Sequence, residues 1–168
     1  VIGGMGPEAT FRLCQYMISL TKASCDQEHI PFLVYNNPQI PDRSAAILNQ
    51  ATSPLNELIH TAKTLESSHC DFLIMPCNTA HYYIDEIQKN VQIPVLDMID
   101  LTVQWIKTNH PNIANVGLLA TSGTLKVGLY DKSLKENDLH LIVPQTEAQK
   151  DLVMKAIYEI KNRNSKLR

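Results

Sequence analysis

Leu73-Ile74-Met75-Pro76-Cys77-Asn78-Thr79-Ala80-His81 decides how this chain is read. Phe72-Leu73-Ile74-Met75 predicts a buried strand. Pro76 has no backbone N–H and ends its ladder. Asn78 and Thr79 favour caps and turns, so a helix is expected to start just after the cysteine. Free N–H groups and a helix dipole at that point favour a thiolate. A free cysteine is more often a small, inert core residue. The polar set Asn78, Thr79 and His81, placed directly after an apolar strand, points instead to Cys77 as a working thiol.

Working outward, strands and helices alternate on both sides. Gly3-Gly4-Met5-Gly6-Pro7-Glu8 is a glycine-rich turn from a first strand into a helix expected over 7–23, with Phe11, Cys14, Met17 and Ile18 towards the core. Such a turn either holds an anion on its backbone N–H groups or is simply tight. The dinucleotide pattern is met only in part, as Gly4-x-Gly6 with Ala9 in the last position. Phe32-Leu33-Val34-Tyr35 reads as the second strand. It leads into the polar loop 36–44, where Arg43 could grip a carboxylate with its planar fork or pair locally with Asp42. Ser53-Pro54 starts a helix whose core face is Leu55, Leu58, Ile59, Ala62 and Leu65. A helix over 82–90, a fourth strand over 94–98 and a helix over 101–107 follow.

His110-Pro111-Asn112 looks like a linker, after which the pattern restarts. Val116-Gly117-Leu118-Leu119-Ala120 reads as a strand, Thr121-Ser122-Gly123-Thr124 as a hydroxyl-rich turn, and Leu125 onward as helix. A strand over 139–143 and an amphipathic helix over 147–161, through Leu152, Ala156 and Ile160, complete the pattern. The alternation predicts an α/β fold with mostly parallel sheets. Two similar Rossmann-like lobes are expected, 1–110 and 111–168. The second reads as incomplete, because the polar run 161–168 brings no closing strand and the chain opens without Met.

Composition narrows the classes. The 168 residues are 44% hydrophobic and 19% charged, with a net charge of -2. That balance fits a globular protein and argues against a nucleic-acid surface. No apolar run approaches the ~20 residues of a membrane span. Cys14, Cys25, Cys70 and Cys77 form no CxxC pair and no zinc spacing, which suits a reducing, cytoplasmic setting.

Four stretches in order, 3–10, 40–44, 75–81 and 120–124, resemble the aspartate/glutamate racemase family across nearly the whole chain. The resemblance implies a racemase that uses no cofactor or metal and acts on a free amino acid, aspartate or glutamate, in a cleft between two lobes, as a homodimer. It implies two cysteines on opposite faces of the α-carbon, one removing the proton and the other returning it. Cys77 matches the first. The second belongs to a Gly-Cys-Thr-Glu-like stretch that no residue here matches. By the same resemblance Met5, Asn78, Thr79, Thr121, Ser122 and Thr124 contact the substrate, Arg43 clamps its side-chain carboxylate, and Lys161 adds a second cation. Rival readings are a cysteine hydrolase with His81 as base, a related cysteine isomerase or decarboxylase, and a domain that binds an amino acid or nucleotide without turnover.

Overall fold

The computed structural model describes residues 1–48 and 51–162. It is an α/β fold with two short parallel sheets. β1 (Ile2–Gly3) pairs with β2 (Tyr35–Asn36), and β3 (Asn115–Gly117) pairs with β4 (His140–Ile142), both in parallel. The central stretch joins the first sheet through the Ile2 N–H, which donates to the Ile74 carbonyl at 2.9 Å. On its other side Leu73 bridges Val95 in parallel. The hydrogen-bonded order is therefore β2, β1, the 73–75 stretch, and the 94–96 stretch.

Strands are shorter than the apolar runs predict. β2 pairs only at Tyr35 and Asn36, and Leu33 is left exposed. The central run keeps its alternation: Leu73 and Met75 are buried while Phe72 is exposed. Pro94 and Pro76 bracket the pairing and neither can donate to a ladder. The fourth strand shrinks to the bridge at Val95, because Asp97 caps the next helix, accepting from the Ile99 N–H at 2.7 Å. That helix, α5 (Met98–Asn109), begins earlier and runs longer than expected.

The other helices of the first half are α1 (Pro7–Leu20), α2 (Arg43–Ile47), α3 (Leu55–Ser67) and α4 (Ile84–Gln88). α3 supplies Leu58, Ala62 and Leu65 to a core shared with Ile2, Leu73, Met75 and Ile87. Of the predicted face of α1, Cys14 is buried and Met17 half-buried, but the other two residues are not covered. Phe11 and Ile18 are exposed, whereas Thr10, outside the predicted face, is fully buried. The turn before α1 sets this phase. The Gly4 N–H donates to Thr10 Oγ1 at 2.9 Å, and the Thr10 methyl lies where a side chain on Gly3 would go. Apolar spacing does not show that a threonine anchors the helix.

In the second half, α6 (Ser122–Val127) and α7 (Leu129–Lys135) replace one continuous helix. Gly128 separates them at φ 67°, a left-handed conformation that glycine adopts without penalty. α8 (Thr146–Ala148), a π-helical segment (Gln149–Met154) and α9 (Lys155–Lys161) follow β4. The expected face through Leu152, Ala156 and Ile160 is exposed. The wider π turn rotates the phase, so Val153, Met154 and Ile157 are the partly buried positions. A second core gathers Val103 of α5 with Leu134 and Leu139. Of the polar run 161–168, residues 163–168 lie outside the described residues. No helix among the described residues is long and apolar enough to cross a membrane.

Candidate active site

The carboxyl ends of the sheets open onto a cleft of about 1170 Å³. Open α/β folds place ligands at this end of their strands. Met5, Arg43, Cys77, Asn78, Thr79, Thr121, Thr124 and Lys161 all line the cleft. Ser122 does not line it; its N–H donates to the Met154 sulfur at 3.2 Å. Among the chain's four cysteines, Cys77 alone lines the cleft.

Cys77 is delivered as the sequence suggests, but the turn after it is tighter. Asn78–Tyr83 is a 3-10 helix with Cys77 as its N-cap residue, and α4 continues from it. His81 explains the tight turn. It is buried, its Nε2 accepts from the Met98 N–H at 3.1 Å, and its Nδ1 lies 2.9 Å from the Cys77 carbonyl. Nε2 must be the lone-pair nitrogen to accept that N–H, so Nδ1–H donates to the carbonyl. His81 therefore fixes the backbone of Cys77 and the start of α5. With both ring nitrogens committed to backbone groups, it is not a base for the thiol, which removes the main support for a cysteine hydrolase.

Arg43 is 7% exposed. Its Nη1 donates to the Ile40 carbonyl at 3.0 Å and to the Pro41 carbonyl at 2.9 Å. Nε has no partner among the described residues, although it is buried. Asp42 does not pair with it; that carboxylate caps α2, accepting from the Ala45 N–H at 2.8 Å. A buried guanidinium in no ion pair among the described residues carries an unmet demand for an anion.

Four hydroxyls close the junction of the two halves. Ser44 Oγ donates to Thr121 Oγ1 at 3.1 Å. Thr79 Oγ1 lies 2.9 Å from Thr121 Oγ1 and 2.8 Å from Thr124 Oγ1, and the last two are 3.1 Å apart. Thr121 also caps α6, accepting from the Thr124 N–H at 3.2 Å. The ring ties α2, the Asn78–Tyr83 turn and α6 together, and Gly123 permits the approach. A Cβ on Gly123 would lie 2.8 Å from Ser44 Cα. These hydroxyls are thus held in place before any ligand arrives.

The glycine turn is also tight by necessity. Gly4 has φ 101°, and a Cβ there would come within 2.2 Å of the Asn37 carbonyl oxygen. Its N–H is taken by Thr10, so this group is not free for an anion. Sequence reasoning missed Tyr130, whose hydroxyl donates to Asn78 Oδ1 at 2.6 Å. A lone tyrosine in a helix gives no sequence signal of such a contact. Burial, followed by the nearby Asp97 charge, raises the Tyr130 pKa and keeps its proton in place. No group of three or more His, Cys, Asp or Glu among the described residues could hold a metal ion.

Fold and cleft define an α/β protein that presents one thiol, a buried guanidinium and a ring of hydroxyls to one ligand space. The chain belongs to the Asp/Glu/Hydantoin racemase family, which it matches over residues 2–167. It is 31% identical to the broad specificity amino-acid racemase RacX of Bacillus subtilis (strain 168), over 84% of this chain and 62% of that protein. Picrophilus torridus aspartate racemase superposes with a TM-score of 0.85 at 36% identity, over 96% of this chain and 67% of that one. An aspartate racemase homologue from Pyrococcus horikoshii OT3 superposes with a TM-score of 0.72 at 26% identity, over 94% and 69%. The chain therefore spans about two thirds of the length of these relatives.

Proposed function

We propose that this chain carries one half of the proton-transfer machinery of a cofactor-independent amino-acid racemase, with aspartate as its substrate. The observation that carries the reading is the shared cleft: Cys77 lines it together with Arg43, Asn78, Thr79, Thr121 and Thr124. The α-proton beside a carboxylate is very weakly acidic, so the chemistry needs a base and a stabilised carbanion. The Cys77 thiolate removes the proton from one face. Asn78 donates hydrogen bonds to the α-carboxylate, where negative charge develops, and the threonine hydroxyls turn protons from one another towards it. Arg43 receives the side-chain carboxylate, and Lys161 adds a cation at the cleft wall. A second thiol returns a proton on the opposite face. None of Cys14, Cys25 and Cys70 lines the cleft, which supports a source other than these three.

A broader substrate range is the second reading. Identity to RacX favours it, as do the apolar side chains of Leu119, Ile157 and Ile160 on the cleft wall. Chiral chromatography of L-aspartate, L-alanine and L-lysine incubated with the protein separates the two. Racemisation of aspartate far ahead of the others supports the first reading. Comparable rates for all three support the second, and no racemisation of any amino acid by a protein that also brings a second thiol to the cleft refutes both.

A further inference from the structure

We infer that Tyr130 is a positioning residue for Asn78: its phenol sets which end of the Asn78 amide faces the ligand. The inference rests on the racemase reading for its chemistry, but its geometry stands apart. An asparagine side chain has a donor end and an acceptor end of nearly equal shape. Turned one way it offers N–H groups to a carboxylate; turned the other way it offers a carbonyl oxygen, which repels it. Nothing in the residue type itself chooses between the two.

The fold makes the choice from the far side of the junction. Gly128 breaks the helix between α6 and α7, and α7 brings Tyr130 to the first residue of the Asn78–Tyr83 turn. The tyrosine ring packs against the second core of Val103, Leu134 and Leu139. One turn on, Ser133 Oγ donates to Asp100 Oδ1 at 2.7 Å and pins α7 to α5. From that fixed base the Tyr130 hydroxyl donates to Asn78 Oδ1 at 2.6 Å. The burial and nearby Asp97 that hold the phenol protonated keep it a donor. The Asn78 oxygen is thereby occupied, and its Nδ2 group makes no hydrogen bond among the described residues. Asn78 itself lines the cleft. A donor on the oxygen also polarises the amide and strengthens Nδ2–H as a donor in turn.

Tyr130→Phe keeps the ring in its core and removes only the hydroxyl. The readout is exchange of the aspartate α-proton in heavy water, measured for wild type, Tyr130→Phe, Asn78→Ala and the double variant. If Tyr130 acts through Asn78, Tyr130→Phe slows exchange about tenfold in the wild-type background, the scale of one hydrogen bond to a charged group. In the Asn78→Ala background the same change has almost no effect, because the effects of coupled residues are not additive. Equal slowing in both backgrounds, or none in either, overturns the inference. A second measurement does not need turnover. In a nitrogen-15 spectrum, aspartate shifts the Asn78 side-chain amide of wild type but not of Tyr130→Phe. If wild type exchanges no α-proton yet this difference is seen, the racemase reading fails and the positioning role of Tyr130 stands. If the amide shifts alike in both proteins, the positioning role falls whatever the activity.

Discussion

Arg43→Lys tests how the cleft would read an acidic side chain. The guanidinium has two tasks in this structure. Nη1 satisfies the carbonyls of Ile40 and Pro41, at 3.0 and 2.9 Å, which shapes the loop before α2. Nε has no partner among the described residues, and Nε and Nη2 are the nitrogens proposed to meet a ligand. A planar fork does both at once because its donors point in fixed, separate directions. A lysine has one nitrogen. If it satisfies the two carbonyls it is drawn away from the ligand, and if it turns to the ligand it strands them. The charge survives in either case, so the change isolates geometry. A hydrogen bond to a charged group contributes about 1.5–3 kcal/mol. Losing one bidentate arm therefore lowers kcat/KM for aspartate by about 10- to 150-fold, at about 1.4 kcal/mol per factor of ten. Turnover of alanine, which has no side-chain carboxylate, stays within about twofold, since the α-carboxylate is held by other groups. The assay is α-proton exchange in heavy water with each substrate at several concentrations. Equal losses for aspartate and alanine refute the assignment of Arg43 to the side chain.

Two further substitutions probe the frame around the cleft. Gly123→Ala drives a methyl to 2.8 Å from Ser44 Cα, a backbone atom that cannot swing aside; overpacking of this kind costs about 2 kcal/mol, so Tm falls by about 4–8 °C, and an unchanged Tm shows that α2 and α6 are not locked together. His81→Ala strands the Met98 N–H and the Cys77 carbonyl and leaves a cavity; calorimetry should record a loss of about 2–5 kcal/mol, and a loss under about 1 kcal/mol contradicts the bridging role given to His81.

Much of the site was legible because its residues sit next to strand ends. Pro76-Cys77-Asn78-Thr79 places a thiol, an amide and a hydroxyl within four residues of a buried run, and the fold carries all three to the cleft. Thr121-Ser122-Gly123-Thr124 reads the same way, although only Thr121 and Thr124 of its hydroxyl residues line the cleft. The parallel α/β class was legible from alternation alone. Helix phase was legible in α3, whose Leu58, Ala62 and Leu65 are buried as expected, but not in the first and last helices. α1 is oriented by a buried threonine bonded to a glycine N–H, and the last helix by a π turn, and hydrophobic spacing carries neither signal. Contacts between the halves were equally hidden. The pairing of Tyr130 with Asn78 spans 52 residues, and that of Ser44 with Thr121 spans 77. His81 shows the opposite failing: its spacing from Cys77 suggested chemistry, and both of its nitrogens serve the backbone.

The central claim is that Cys77 takes the substrate's α-proton, and Cys77→Ser tests it most directly. Serine is close in size, so folding should survive with a cost under about 1.5 kcal/mol, checked by thermal melting. Its hydroxyl is a far poorer base near neutral pH. L- and D-aspartate are incubated separately in heavy water and their α-protons followed by proton NMR. The account predicts that the folded variant loses exchange of one enantiomer and all racemisation, while the other enantiomer still exchanges wherever a second thiol is present. A folded Cys77→Ser protein that racemises aspartate at near the wild-type rate would contradict the account and make Cys77 a packed core residue.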